Sequence, residues 1–112
     1  MRFLPLITFL FLIACSTPYD LKKTDPKITY VTSKPANDVK KCILDKWRLH
    51  LTNVHEEEIS EGYMVRFNDT LENATVAIVT IESMGPEVNV NYYHRTNRIK
   101  LERLEEEVKA CK

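Results

Sequence analysis

The chain has 112 residues, of which 44% are hydrophobic, and its 16 basic residues equal its 16 acidic residues. This length supplies a core for one small domain. The balanced charge argues against binding to nucleic acid, which requires a basic surface, and against electrostatic attachment to anionic lipid.

The first fourteen residues have the layout of an export signal. Arg2 supplies a short positive region, and residues 3–14 form an apolar stretch that only Pro5 and Thr8 interrupt. A membrane-spanning helix needs about 20 apolar residues, and this stretch gives way to polar residues from Ser16 onward. We therefore expect residues 1–14 to be removed rather than retained as an anchor helix.

The run Leu12-Ile13-Ala14-Cys15 resembles the lipobox of bacterial lipoproteins. The resemblance implies that the Cys15 thiol receives a diacylglyceryl group and that a peptidase cuts before Cys15. Ser16 in place of Asp implies delivery to the outer membrane of a Gram-negative envelope. Several acyl chains anchor durably, because each buried methylene contributes about 0.8 kcal/mol. The alternative is an ordinary secretory signal cut after Ala14, which would leave Cys15 as a free thiol.

Residues 15–27 are predicted to form the lipidated terminus and a flexible tether, because they are rich in proline and charge and lack apolar periodicity. One α+β domain is predicted over residues 28–112, in the periplasm or at the cell surface. It begins with an edge strand at Ile28–Thr32, whose β-branched and aromatic residues lie between Pro26 and Pro35.

A helix is predicted next, with Ser33 or Asn37 as its N-cap, running to about Leu49. The helical period places one set of side chains on a common inward face: Val39, Cys42, Ile43, Trp47 and His50.

The period then changes to two, which predicts antiparallel strands at Tyr63–Phe67, Thr75–Ile81 and Val88–Tyr92. The second of these is apolar on both faces, so we expect it at the centre of the sheet. Turns are predicted at Gly62, at Asn68-Asp69 and at Met84-Gly85-Pro86. The glutamate-rich Val54–Ile59 fits a helix end or a loop as well, and we expect a weak strand pairing with Tyr63–Phe67.

The last helix is predicted to start at a Thr96 or Asn97 cap and to bury one stripe: Leu101, Leu104, Val108 and Cys111. Its Glu105-Glu106-Glu107 run is expected to face water. The order of elements predicts a three- to four-stranded antiparallel sheet with two helices packed on one face.

Cys42 and Cys111 remain once Cys15 is assigned to lipid, and both lie on inward helix faces. Because an exported chain passes through an oxidising compartment, we predict a disulfide between them that links the two helices. The alternatives are two buried free thiols or a two-cysteine metal site. Neither cysteine has the closely spaced second Cys or His that zinc sites use.

The residues offer little support for catalysis. The three histidines, His50, His55 and His94, and the nearby Glu56–Glu58 match no zinc-binding spacing. No serine lies in a Gly-x-Ser-x-Gly elbow, and two glycines in the whole chain cannot build a phosphate loop. We therefore predict no enzyme activity, no metal and no cofactor. The competing hypothesis is a hydrolase that pairs one of these histidines with a glutamate.

Aromatic residues provide the candidates for binding. Trp47 lies beside Val39 and Ile43 on the helix, which favours a place in the core over a sugar-stacking role. If Tyr92 faces inward, Tyr93 and Arg95 face outward, and this pair of residue types is enriched at protein interfaces.

Beyond the lipobox, three segments of the chain resemble small Gram-negative lipoproteins that have no known activity. They are Ser33–Trp47 with its Cys42-Ile43-x-x-x-Trp47 pattern, Gly62-Tyr63-x-Val65, and Tyr92-Tyr93. We expect a non-enzymatic outer-membrane lipoprotein that binds another envelope or exported protein, through an edge strand or through Tyr93 and Arg95. An inhibitor, immunity or exclusion factor is a special case. The other class is a small-ligand or glycan binder that stacks on Trp47 or Tyr93. The oligomeric state is left open.

Overall fold

The computed structural model describes residues 24–69, 74–95 and 102–112. Within these residues seven elements follow one another: β1 (Ile28–Thr32), α1 (Ala36–Arg48), β2 (Val54–Ile59), β3 (Gly62–Asp69), β4 (Ala74–Met84), β5 (Glu87–His94) and α2 (Glu102–Ala110). The predicted α+β class is confirmed. Cys15, the signal segment, Leu101 and the expected caps Thr96 and Asn97 lie outside the described residues.

The strands form a five-stranded antiparallel sheet in the order β1-β5-β4-β3-β2. The predicted count of three to four strands is therefore wrong. Strand β1 joins the sheet by pairing with β5, which places Tyr30 opposite Val90, and β2 joins by pairing with β3, which places Glu56 opposite Val65. Both additions are edge strands, where side chains reach water and the apolar alternation that marks a buried strand weakens.

Strand β4 lies at the centre of the sheet, as its apolar composition predicts. Val79 and Ile81 point to the face that the helices cover, and Ile78 points to the opposite face. On that opposite face Ile78 forms a smaller cluster with Met64 and Tyr93. Burial on both faces explains why positions 76–81 of this strand hold a single polar residue, Thr80.

Both helices pack on one face of the sheet. Helix α1 buries Val39, Ile43, Leu44 and Trp47, and α2 buries Leu104 and Val108 in the same cluster. The predicted inward face of α1 is confirmed for its centre. Leu44 takes a fully inward place that the pattern had not given it, while Cys42 and His50 are half-buried.

The start of α1 differs from the prediction. Pro35 is the N-cap, and no side chain caps the helix. The carbonyl oxygen of Pro35 instead accepts hydrogen bonds from the backbone N–H groups of Asp38 and Val39, at 3.0 and 3.2 Å. A proline suits this position because its fixed φ leads into the first turn.

Two glycines are required by the strand connections. A Cβ on Gly62, the first residue of β3, would lie 1.8 Å from the carbonyl oxygen of Ile81, so no side chain fits there. Gly85, between β4 and β5, has φ of 67°, which L-residues rarely adopt. The predicted turn at Asn68-Asp69 is wrong: both residues end β3, after a bulge between Phe67 and Asn68.

Candidate functional site

The two edges of the sheet differ in charge. Strand β2 presents three consecutive exposed glutamates, Glu56 to Glu58. Lys40 pairs with Glu56 at 2.9 Å, and Arg66 pairs with Glu57. Charged side chains on an edge strand discourage pairing with a further chain. Strand β2 therefore forms a protected edge.

Strand β1 contains no charged residue. Val31 is 49% exposed and Thr29 is exposed on the face away from the helices, while Ile28 and Tyr30 are half-buried on the helix side. Within the described residues β1 pairs with β5 alone. The free backbone groups of such an edge are a template for an added strand.

Three exposed lysines surround this edge. Lys27 precedes β1, Lys34 follows it by two residues, and the Nζ atom of Lys112 lies 5.9 Å from the centre of the Tyr30 ring. In the part of the chain that the structure describes, none of the three forms an ion pair. Their charges are available to a partner, whereas that of Lys40 is already used by Glu56.

Helix α2 is fixed to the rest of the domain by a covalent bond. The predicted Cys42–Cys111 disulfide is confirmed, with an S–S distance of 2.03 Å and a Cα–Cα distance of 5.8 Å. Because Cys111 directly follows α2, the bridge ties the end of this helix to α1. The Tyr30 hydroxyl also donates to the carbonyl oxygen of Val108 at 2.9 Å, which joins α2 to the β1 edge.

Two histidines reinforce this attachment. His50 Nε2 lies 2.8 Å from Glu107 Oε1, and His94 Nδ1 lies 3.7 Å from Glu105 Oε2. The expectation that the Glu105-Glu106-Glu107 run faces water is therefore wrong for its first and last members. Only Glu106 is well exposed, with Lys109 at 3.6 Å. The helical period predicted the buried stripe of α2 but not which flanking carboxylates would meet a histidine from another element.

Burial perturbs the titrating groups beside α2. The pKa of His94 is lowered, because burial disfavours the imidazolium and Lys27 adds repulsion, while Glu105 partly offsets both. Burial and the charge of Glu105 raise the pKa of Tyr92, whose hydroxyl lies 3.1 Å from His94 Nδ1. Burial also raises the pKa of Tyr30 to about 12. These phenols stay protonated and neutral throughout the physiological range.

The histidines do not assemble a shared centre. His50 contacts Glu107 and His94 contacts Tyr92, while His55 is exposed on β2. Among the described residues, no group of three metal-ligating side chains comes together. His50 with Glu107 is a base with an orienting carboxylate, and in the same residues no hydroxyl or thiol nucleophile is hydrogen-bonded to that histidine.

Tyr93 and Arg95, the predicted contact pair, are engaged within the domain. Tyr93 is 9% exposed and packs with Met64 and Ile78 on the sheet face away from the helices. Burial, with the charge of Glu82, raises the pKa of Tyr93, and a hydrogen bond with Thr80 opposes this rise. Arg95 Nε donates to the carbonyl oxygen of Thr75 at 2.8 Å. Their role in partner binding stays a prediction.

Trp47 belongs to the core, with no exposed area, so it offers no platform for a sugar. Its ring meets Tyr92 edge-to-face, with centroids 6.2 Å apart. Within the described residues the Nε1 donor has no hydrogen-bond partner.

No protein-family model, curated protein or solved structure significantly matches this chain. The helices that the structure describes are all too short or too polar to cross a lipid bilayer. The motifs in the sequence did not point to the lysines around β1. The signal was nevertheless present, because the uncharged strand at residues 28–32 lies between Lys27 and Lys34.

Proposed function

We propose that this chain is a non-enzymatic lipoprotein of a Gram-negative envelope, anchored in the outer membrane through Cys15. Its domain binds another envelope or exported protein, which adds a strand to β1. The anchor is supported by the Leu12-Ile13-Ala14-Cys15 run, which resembles a lipobox. We expect the predicted tether, residues 15–27, to let the domain stand clear of lipid, so that a partner can approach the edge of the sheet.

The contrast between the two edges carries this proposal. Strand β2 has glutamates at three successive positions, and β1 has none while exposing 49% of Val31. An uncharged edge is an aggregation risk, and natural sheets normally block one with charge, proline or a bulge. An edge left open beside a blocked one fits a surface that binds a partner strand.

Anchoring and binding support each other. A domain tethered to the membrane meets an envelope target at high effective concentration, so a weak strand-addition contact is sufficient. An inhibitor, immunity or exclusion factor is the special case in which the captured strand belongs to a harmful or competing protein.

Site-specific photo-crosslinking of the full chain tests the binding edge. A photoreactive residue at position 31 is expected to capture a discrete partner, and the same residue at position 58 in β2 is the matched control. Both positions are exposed, so neither substitution disturbs the core. Equal capture from both edges, or none from position 31, would contradict the proposal.

The anchor is tested separately by mass spectrometry of the mature terminus. The wild-type protein is expected to begin at an acylated Cys15, and Cys15→Ser is expected to remain unlipidated. If the soluble variant still crosslinks from position 31 in envelope extract, the domain alone recognises the partner. An unmodified Cys15 in the wild type would overturn the anchor and leave the binding edge intact.

A further inference from the structure

On the basis of the proposed strand addition at β1, we infer that the partner segment carries carboxylates at both ends of an uncharged extended stretch. This stretch has about five residues, which matches the length of β1. The positions of the charges around β1 determine which partner residues this edge can accept.

The cations lie at both ends of the strand. Lys27 and Lys34 bracket β1, and Lys112 lies beside its middle, close to the Tyr30 ring. Two exposed carboxylates are in the same region. Asp25 precedes Lys27 by two residues, and Glu87 lies next to Val88, which pairs with Thr32. Neither forms an ion pair with these lysines in the described residues. The edge therefore keeps an excess of positive charge.

If a strand is added to β1, the positions of these lysines determine which charges the partner must carry. Residues of an added strand lie directly opposite those of β1, about 4.8 Å away, so the residues that flank a five-residue core come next to Lys27 and Ser33-Lys34. Because a lysine lies at each end, the requirement is the same for a parallel and an antiparallel partner. Like charges opposite each other destabilise a strand pair, and unlike charges stabilise it.

A second copy of the chain fits this edge less well. Two β1 strands paired antiparallel about Tyr30 would bring Lys27 of each copy beside the Ser33-Lys34 end of the other, which opposes like charges. Pairing of β1 with β2 of another copy would match unlike charges, but it is a head-to-tail contact that continues into an open chain of molecules. The glutamates of β2 also lie within the strand rather than at its ends, and Glu56 and Glu57 already pair with Lys40 and Arg66.

Peptide binding to the folded chain with Cys15→Ser tests the inference. The probes are blocked, fluorescently labelled peptides with the core TVTVT, flanked on each side by two glutamates, two serines or two lysines. Anisotropy at pH 8 and low salt is expected to show the glutamate peptide binding about fivefold more tightly than the serine peptide, with the lysine peptide weakest, because exposed ion pairs contribute modestly. Added salt is expected to reduce this difference.

Charge reversal at the edge provides the decisive comparison. The double variant Lys27→Glu/Lys34→Glu is expected to reverse the order of the three peptides, and Lys41→Glu, at an exposed position on α1, is expected to preserve it. Circular dichroism confirms that both variants are folded, and the milder Lys27→Gln/Lys34→Gln is expected to abolish the preference without reversing it.

The outcomes separate this inference from the proposed function. Equal binding of all three peptides overturns the acidic partner and leaves strand addition standing. Absence of peptide binding overturns the inference whether or not position 31 crosslinks, and absence of both overturns the proposed function as well. Growth of large particles in light scattering that Glu58→Lys disperses would identify a second copy as the occupant and also overturn the inference.

Discussion

The Tyr30 hydroxyl donates a hydrogen bond to the main-chain oxygen of Val108 at 2.9 Å, which joins the open edge of the sheet to the C-terminal helix. Three residues after Val108, just beyond the end of α2, Cys111 is bonded to Cys42. The proposed binding edge, the last helix and the disulfide therefore form one connected unit. We therefore expect a change in any one of them to loosen the packing of β1 against α2.

Tyr30→Phe removes this hydrogen bond and leaves the ring. We expect a loss of about 1 kcal/mol in the free energy of unfolding, typical of one hydrogen bond. The raised pKa of Tyr30 also predicts a pH effect. Because burial disfavours the ionised phenol, the unfolded state ionises near pH 10.0 and the folded state near 12. The stability linked to the neutral Tyr30 is therefore complete below pH 10.0 and is lost as the pH rises to about 12.

Urea unfolding at pH 8 and pH 11 measures both effects. Wild type is expected to lose more stability between these two pH values than Tyr30→Phe does. The matched control is Tyr63→Phe on β3, whose hydroxyl makes no hydrogen bond within the described residues. Parallel alkaline losses in wild type and Tyr30→Phe would show that the Tyr30 hydroxyl is not buried in solution.

The Cys42→Ser/Cys111→Ser variant opens a loop with a sequence separation of 69 residues. The chain-entropy estimate for closing such a loop gives about 4 kcal/mol of stabilisation, a large fraction for a domain of this size. Urea denaturation of this variant, and of wild type with reductant, is expected to show the same large loss. The control Cys15→Ser is expected to keep its stability. A loss below about 1 kcal/mol would contradict a stabilising role for the bridge.

The lowered pKa of His94 predicts that the domain loses stability toward unfolding in acid. Its folded pKa lies below the ordinary value of 6.5, so the unfolded state binds a proton at a higher pH than the folded state does. Stability is therefore lost as the pH falls below 6.5 toward the folded pKa. His94→Asn, which keeps a polar atom near Tyr92, is expected to lose less stability over the same range.

The measurement is thermal unfolding by circular dichroism from pH 8 down to pH 5. His55→Asn, at an exposed position on β2, is the control and is expected to follow wild type. If the wild-type domain instead gained stability relative to His94→Asn as the pH falls from 8 to 5, the His94 imidazole would not be held neutral by burial in the folded state.

Two substitutions of Trp47 are expected to lower the free energy of unfolding by different amounts. Trp47→Ala empties the centre of the core and is expected to destabilise the domain by about 3–5 kcal/mol. Trp47→Phe is expected to cost clearly less, because it keeps an aromatic ring and removes the Nε1 donor, which has no hydrogen-bond partner in the part of the chain that the structure describes. Chemical denaturation followed by circular dichroism measures both, with Val31→Ala at the exposed edge as control. Equal costs for Phe and Ala would contradict this account.

Local patterns predicted the elements well where one face of an element is buried. The stripe of Leu104, Val108 and Cys111 and the face of Val39, Ile43 and Trp47 followed from the helical period, and the central place of β4 followed from its apolar residues on both faces. The disulfide followed from two inward cysteines. The cap of α1 was predicted at Ser33 or Asn37, but the helix starts after Pro35, which has no side-chain oxygen to accept a hydrogen bond.

Contacts between distant segments were not predictable in this way. Glu107 meets His50 across 57 positions of sequence, and nothing in the composition of α2 distinguishes it from exposed Glu106. The edge strand β1 and the pairing of β2 with β3 were predicted, but the total of five strands in one sheet was not, since each edge strand is short and pairs on one side alone.

The sequence by itself predicted the helices and strands, the pairing of Cys42 with Cys111, and most of the side chains that face inward, with Leu44 and Tyr93 as exceptions. These properties depend on the periods of 3.6 and 2 residues, which every local stretch carries. Only the tertiary structure decided that β1 and β2 are opposite edges of one sheet and that exposed lysines surround the uncharged one. That arrangement depends on which strands meet after the chain closes its long loops, and no local period encodes it.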